Sequence, residues 1–408
     1  MSGKHTTLQV LTLNCWGVPY LSKDKEIRFK KIIQELAKGE YDIVALQEVF
    51  TNSDIKDLQE GLKKVLPYSH YFYSGFIGSG VCIFSKGPIL DTAQKAFSLN
   101  AFPHKIRHCD WYAKKLVGLC QVEIDGLKIN VYTTHMTAMY GPSHDESFID
   151  QDEYYAHRLV QSYELSSFVR QTCQSSDVNL VMGDFNSEKS SLCMQIILKN
   201  ANLRDAWEER PNKEDGNIGT TCDKPNNVYT HVKKKPEEIT EGIRIDYILY
   251  NGNDKDVVCR DCCLTMGQIP GFDIFYSDHE GVRATLDIVS KDESDAGELP
   301  AKGIELQTVL NKVSGVLEKA KLENIKQQSF YWQAILLLVV MYILKALIIG
   351  ALTFVVDLIF TVATILFMWG LFWTAVVEKR FEFWGLTATA EDVKTRMKFV
   401  QRVYQAFK

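Results

Sequence analysis

Proline, glycine and cysteine are all sparse in this chain, at 10, 25 and 10 of 408 residues. That scarcity excludes a collagen-like repeat, a low-complexity chain and a disulfide-dense secreted scaffold. An excess of positive charge is also missing, since 46 Lys and Arg face 51 Asp and Glu for a net charge of −5. Nothing in the overall charge marks a nucleic-acid binder, and no nucleic acid is expected as a partner. The opening Met-Ser-Gly-Lys-His-Thr-Thr-Leu has no apolar signal-peptide core, so the cysteines are expected to stay reduced in the cytosol. Cys259-x-x-Cys262-Cys263 has no second pair at zinc-finger spacing, which favours buried structural thiols over a metal site.

The hydrophobic residues, 46% of the chain, are unevenly spread. Residues 8 to about 290 alternate short β-branched apolar runs with polar helical stretches, the pattern of one α/β domain. Strands are expected at 8–13, 43–46, 81–85, 117–122, 129–133, 179–182, 245–250 and 282–289, and helices at 26–38 and 155–171. Residues 291–303 read as an acidic linker without apolar period, and 304–328 as an amphipathic helix carrying Leu306, Val309, Leu310, Val313 and Leu317.

Charge then almost disappears: the 48 residues 330–377 contain only Lys345 and Asp357. One crossing takes about 20 apolar residues, so this block predicts two membrane spans, 331–350 and 354–377. Tyr331 and Trp332 at one end and Trp369 and Trp373 near the other suit an interfacial belt. A hairpin returns the tail, 378–408, to the side of the large domain. That tail holds seven Lys and Arg against four acids, which places both ends in the cytosol and offers a contact for anionic lipids.

Polar residues collect at the ends of the expected strands, where open α/β sheets gather their ligands. They lie in Leu13-Asn14-Cys15-Trp16-Gly17, Leu46-Gln47-Glu48, Thr134-His135, Gly183-Asp184-Phe185-Asn186, Ile245-Asp246-Tyr247 and Ser277-Asp278-His279. Singly each has a plainer reading, as a turn cap, a solvated carboxylate or a core histidine. Their ordered recurrence after successive strands lifts them above that. Asp, Glu and Asn oxygens make a hard-cation set suited to Mg²⁺, and two imidazoles remain for proton transfer at an ordinary pKa of about 6.5.

The ordered set Asn14, Glu48, His135, Asp184/Asn186, Asp246 and Asp278/His279 resembles the DNase I-like phosphodiesterase superfamily over residues 8 to about 290. Residues 13–22, 74–86, Asp110-Trp111…Lys115…Val117-Gly118-Leu119, 155–158 and 242–247 are similar to its neutral sphingomyelinases. The resemblance implies an α/β four-layer sandwich, two mixed sheets flanked by helices, followed here by a two-helix transmembrane hairpin. It implies Mg²⁺-dependent hydrolysis of sphingomyelin in a bilayer to ceramide and phosphocholine, with Mn²⁺ as a substitute ion and lysocholine phospholipids as a further substrate class. Carried over by position, Glu48 holds the metal with help from Asn14, and His279 is the general base beside Asp278. Asp184 and Asn186 orient water and phosphate, and His135 and Lys115 contact the phosphoryl oxygens. Asp110 positions a loop, and Asp246 supports one of the two histidines. Asp110 and Lys115 also read as a surface ion pair. Thr137 stands where relatives often carry His or Gln.

Other readings of the same fold are a nuclease, which wants a basic groove, and a phosphoinositide phosphatase, which wants a basic cluster. Lys233-Lys234-Lys235 is a short candidate for the latter but reads as a solvated loop. A membrane scaffold with a dead catalytic domain conflicts with the intact polar set. Endoplasmic reticulum, nuclear envelope and plasma membrane all fit the chain, and the oligomeric state is open.

Overall fold

The computed structural model describes residues 6–140, 152–211, 213, 216–235, 238–290, 299–348 and 354–406. The chain divides into two compact units, 6–309 and 310–406. The first begins β1 (Thr6–Asn14), α1 (Lys25–Leu36), β2 (Ile43–Gln47), α2 (Asn52–Leu62), β3 (Tyr68–Tyr71), β4 (Cys82–Ser85) and β5 (Ile89–Ala96). It continues with α3 (Asp110–Ala113), β6 (Leu116–Ile124), β7 (Leu127–His135), α4 (Tyr155–Thr172), β8 (Val178–Asp184) and α5 (Leu192–Asn200). Then follow β9 (Arg204–Asp205), α6 (Ala206–Glu209), α7 (Thr230–Lys233), β10 (Asp246–Gly252), β11 (Lys255–Thr265) and β12 (Gly281–Ser290).

Two six-stranded sheets result, ordered β11-β12-β1-β2-β4-β3 and β5-β6-β7-β8-β10-β9. Each holds one parallel pair, β1–β2 or β7–β8, among antiparallel ones, so both are mixed. Side chains alternate across a strand, and here both faces are buried. Leu8 and Val10, Ile43 and Ala45, Val131, Leu180 and Met182, and Ile248 share one core between the sheets. The opposite face of the first sheet, with Leu11, Leu13, Val44 and Leu46, packs on Phe29, Ile32 and Leu36 of α1 and on Leu58 and Leu62 of α2. That of the second, with Val117, Tyr132, Val181 and Leu249, packs on Leu165 and Val169 of α4 and Met194 and Ile197 of α5. This is the expected four-layer sandwich.

Four strands lay outside the expected set: β3, β5, β9 and β11. Strand β5 is Ile-Leu-Asp-Thr-Ala-Gln-Lys-Ala at a sheet edge and largely exposed, so it carries no apolar period to read. Strand β11 hides behind a bulge at Arg260, where the pairing steps from Cys259↔Leu286 to Asp261↔Thr285. The extra residue lets Cys259 and Cys262, three apart, both face the inter-sheet core as buried thiols, while Cys263 is half-buried.

In the second unit the amphipathic helix and the first apolar run are not separate elements. Helix α8 spans Leu299–Ile348 without interruption, starting inside the expected linker, whose residues 291–298 lie outside the described set. Helix α9 (Phe354–Trp373) is followed by a π-helical turn, Thr374–Glu378, and by α10 (Lys379–Ala406). Within the expected second span the α-helix therefore passes into a π turn after Trp373, and the expected tail is a helix. The hairpin tip, 349–353, lies outside the described residues. Leu310, Val313 and Leu317 on α8 and Leu386, Ala390 and Val393 on α10 are all buried. Asn324 Nδ2 donates to Lys379 O (3.1 Å) and Glu382 Oε2 (2.8 Å), and Lys394 pairs with Glu318 (3.2 Å). Beyond these contacts α8 and α9 expose Leu336, Leu337, Ile359 and Leu366, and both are long and apolar enough to cross a membrane. Lys345 and Asp357 form an ion pair with each other, as charges in so apolar a stretch must.

Truncating Leu180, fully buried between the sheets, removes packing that the neighbouring strands are too constrained to refill. We expect Leu180→Ala to cost about 2–5 kcal/mol, read by denaturant unfolding of the purified chain.

Candidate active site

The topology gathers the polar residues at one end of both sheets. Asn14 ends β1, Glu48 follows β2, His135 ends β7 and Asp184 ends β8. Strand β10 runs antiparallel to β8 and starts with Asp246 opposite Asp184. His279 lies just before β12, which runs antiparallel to β1. Glu48, His135, Asp184, Asn186 and His279 line one cleft of about 510 Å³, together with Asp110, Lys115 and Lys233. Its floor is conformationally strained. Trp16, Glu48 and Asn186 hold φ of 46°, 57° and 46°, a left-handed backbone costly for side-chain-bearing residues. At Gly183 a Cβ would sit 2.1 Å from Thr134 O, so only glycine lets β8 approach β7 here.

Asn14 binds the two halves together. Its Nδ2 donates to Glu48 Oε1 from the first sheet and to Asp184 Oδ2 from the second, each at 3.0 Å. Its Oδ1 accepts from Trp16 N at 2.9 Å, so the amide serves as a clamp on the carboxylates and its oxygen is already engaged. His135 Nε2 stands 3.5 Å from Asp184 Oδ2 and 3.9 Å from Glu48 Oε1, with Lys115 Nζ against its Nδ1 at 3.0 Å. Lys115 in turn pairs with Asp110 at 3.0 Å, and both are buried, at 2% and 4% exposed. The surface-pair reading is thereby corrected. Asp246 supports His279, Oδ2 to Nδ1 at 2.8 Å, which leaves Nε2 as the nitrogen that can exchange a proton. Asn186 is held by its own backbone N on Asp184 Oδ1 and by its side-chain amide on Met136 O, both at 2.9 Å. Thr137 is buried and bonded to Gln161 on α4, so that departure is absorbed structurally.

The charges are crowded. Burial raises the Glu48 carboxyl, and the Asp278 charge adds to it. Burial and the Asp246 charge push Asp184 up to about 7. Burial and the Lys115 cation hold His135 well below its ordinary value, so it is neutral. For His279 burial works against the charged ring, but Cys222 and Asp246 more than offset it and the value is raised well above 6.5. Burial holds the Cys222 thiol up at about 11, so it is neutral near pH 7 and Asp246 is the anion that matters. The sequence suggested an ordinary imidazole at His279; in the fold its neighbours favour the charged ring.

Asp278 is drawn into an ion pair with Lys233 and held low against the pull of burial. Lys233 also lies 5.1 Å over the Trp16 ring, so it belongs to the cleft wall and the solvated-loop reading is corrected. Arg28 was missed entirely. It is fully buried and donates to Cys15 O (2.7 Å), Trp16 O (2.6 Å) and Tyr276 O (3.2 Å), fixing the loop that carries Asn14's neighbour. The available signal was its helical register with Ile32 and Leu36 on the buried stripe of α1. Tyr140, whose hydroxyl lies 3.0 Å from Asp110 Oδ2, had no local signal.

The donor set fits a divalent cation. Glu48 Oε2 and Asp246 Oδ1 are buried and have no hydrogen-bond partner among the described residues, an unfavourable state for carboxylate oxygens. Ligand atoms of Asp184, Asp246 and His279 lie within 4.8 Å of one another. A cation among them would take up the Asp246 oxygen and relieve the Asp246 repulsion that adds to burial in raising Asp184.

Residues 11–279 match the model of the endonuclease/exonuclease/phosphatase family. Over 298 residues the chain is 42% identical to a Caenorhabditis elegans protein named "Putative neutral sphingomyelinase", covering 69% of this chain and 67% of that one. Over 280 residues it is 37% identical to mouse (Mus musculus) sphingomyelin phosphodiesterase 2, covering 68% and 65%. The aligned region thus spans about two thirds of these relatives' length. Among solved structures, beta toxin from Staphylococcus aureus superposes with a TM-score of 0.51 at 21% identity, over 68% of this chain and 99% of the toxin, which shows the shared fold.

A linkage prediction follows from the histidines. His135 is depressed in the fold, so its contribution grows with pH and is complete above about 6.5. His279 is raised, so its contribution is full below about 6.5 and is lost as pH rises towards its folded value. The metal-depleted protein should lose about 1–2 kcal/mol between pH 6.5 and 8, a fall of a few degrees in Tm. Asp246→Asn, which removes the anion, should flatten that fall in thermal unfolding.

Proposed function

The chain belongs to the endonuclease/exonuclease/phosphatase family, on its neutral sphingomyelinase branch, and from that premise we propose that it hydrolyses sphingomyelin to ceramide and phosphocholine with Mg²⁺ at a membrane surface. One observation carries the chemistry: carboxylates from both sheets and a carboxylate-backed histidine meet in one cleft with two carboxylate oxygens unsatisfied.

Glu48, Asp184 and Asp246 are the residues that would hold the ion, with the Asn14 amide keeping Glu48 and Asp184 in place. When bound, Mg²⁺ supplies charge neutralisation for the phosphoryl and departing oxygens and lowers the proton affinity of the neighbouring imidazole. His279 accepts the proton of the attacking water at Nε2, while Asp246 fixes the tautomer by taking Nδ1–H and stabilises the imidazolium that forms. Asp184 and Asn186 orient water and phosphate in line. Lys115 donates to a phosphoryl oxygen and His135, kept neutral, lies beside it. Asp110, bonded to Lys115 and Tyr140, positions the loop. Asp278 anchors Lys233 on the opposite wall and flanks the base. Lysocholine phospholipids present the same headgroup and are a further substrate.

In this reading α8 and α9 cross the bilayer and leave the globular unit and α10 on the cytosolic side. The tether raises the local concentration of enzyme and lipid by confining both to one surface. Lys394, Arg396 and Lys398 of α10 are candidates for contact with anionic lipid.

The test is phosphocholine release from sphingomyelin-containing vesicles with and without Mg²⁺. We expect His279→Ala to lower turnover by about 10²–10⁴ with the fold retained. Glu48→Gln should raise the Mg²⁺ concentration needed for half-maximal rate by at least about tenfold. A folded His279→Ala variant with full activity would falsify the mechanism. Release of some other phosphoester, with sphingomyelin left intact, would overturn the substrate.

A further inference from the structure

The loops around the cleft expose large apolar side chains that the chemistry does not use. Leu21 lines the cleft and is 64% exposed, which places it at the mouth, and Tyr20 beside it is fully exposed. Arg107, His108, Cys109 and Asp110 also line the cleft, and the same segment exposes Ile106 and Trp111. Phe76, 88% exposed, belongs to a loop fastened to this segment, since Phe76 N (2.7 Å) and Ile77 N (3.3 Å) both donate to Tyr112 O. The anchoring is firm underneath. The His108 ring stacks on Tyr140 at 3.6 Å, and Ser74 Oγ donates to Lys114 O at 2.8 Å. Exposed aromatics on rigidly held loops lose little freedom when they bind and are costly to leave in water.

Their composition selects the occupant. Tyr, Trp, Phe and Ile beside the exposed cations Arg107 and Lys114 match the boundary of a lipid bilayer, where apolar side chains enter the acyl edge and cations meet phosphates. We propose that the loops bearing Tyr20, Phe76, Ile106 and Trp111 form a lipid-contacting rim, by which the globular unit seats its own cleft mouth on the bilayer. This rests on the reading above that the substrate is a bilayer lipid. A membrane hairpin confines the chain to a surface but does not by itself turn the cleft towards it; the rim supplies that orientation. It also opens a path in which the headgroup enters the polar cleft while the lipid tails remain among apolar side chains.

The experiment uses the full chain reconstituted in phosphatidylcholine–sphingomyelin vesicles. A photo-crosslinking phenylalanine analogue is placed at Tyr20 or Trp111, and for comparison at Leu90 or Val258, exposed apolar positions on β5 and β11. Lipid adducts at 20 and 111 and their absence at 90 and 258 are expected. Equal labelling at all four, or none at 20 and 111, overturns the rim. This readout needs no turnover, so it stands apart from the substrate assignment. In parallel, the variant carrying Tyr20→Ser, Phe76→Ser, Ile106→Ser and Trp111→Ser should raise the apparent KM on vesicles by about tenfold or more, the scale of losing several partly inserted apolar side chains. Hydrolysis of a detergent-dispersed short-chain sphingomyelin should stay within about twofold of the parent. Equal loss on both substrates overturns the rim and leaves the substrate assignment standing; no hydrolysis of either by the parent chain overturns the substrate assignment alone.

Discussion

The amide of Asn14 is the point on which this structure turns. One NH₂ group spans two carboxylates, Glu48 from the first sheet and Asp184 from the second. Nothing in the packing of the sandwich demands that anions meet here; burying them costs free energy, and burial together with the Asp246 charge raises Asp184 to about 7. The fold holds them together nonetheless, through the strained backbone at Glu48 and Asn186 and the glycine at 183. Such strain survives only where the surrounding structure is rigid, and three of the four layers contribute to that rigidity: both sheets and α1, whose Arg28 grips the carbonyls of the Asn14 turn.

The two walls of the cleft are built differently. On one side Lys115, Asp110 and Tyr140 form a buried chain of charge and hydroxyl that ends on His135. On the other, Lys233 is held between Asp278 and the Trp16 ring. Each lysine is neutralised by its own carboxylate, so the cleft presents two positioned donors without a net excess of positive charge. That arrangement suits a single phosphodiester better than a polyanion.

The sandwich and the apolar helices answer different needs. The sandwich needs rigidity to keep a repulsive cluster assembled. The helices expose Leu, Ile, Val and Phe over two long stretches, which is stable only against an apolar medium or partner. Between them α8 runs as one uninterrupted helix, amphipathic at its start and apolar all round later, so its change of surroundings is written along a single element.

Short apolar runs rich in β-branched residues were enough to place the central strands, because those strands are buried on both faces and tolerate little else. Asn14, Glu48, His135, Asp184, Asp246 and His279 were legible for the same reason, as polar residues ending runs that otherwise exclude them. The two apolar stretches were legible from length alone. Edge strand β5 was not, since a half-solvated strand needs no apolar pattern, and β11 was masked by the bulge that breaks its alternation. Which histidine Asp246 serves, the burial of the Asp110–Lys115 pair, and the parts played by Arg28, Tyr140 and Lys233 depend on contacts between residues 5 to 248 positions apart. Local sequence sets what a segment prefers to be. Only the closing of two sheets against each other decides which of its side chains meet, and therefore how strongly each one holds its proton.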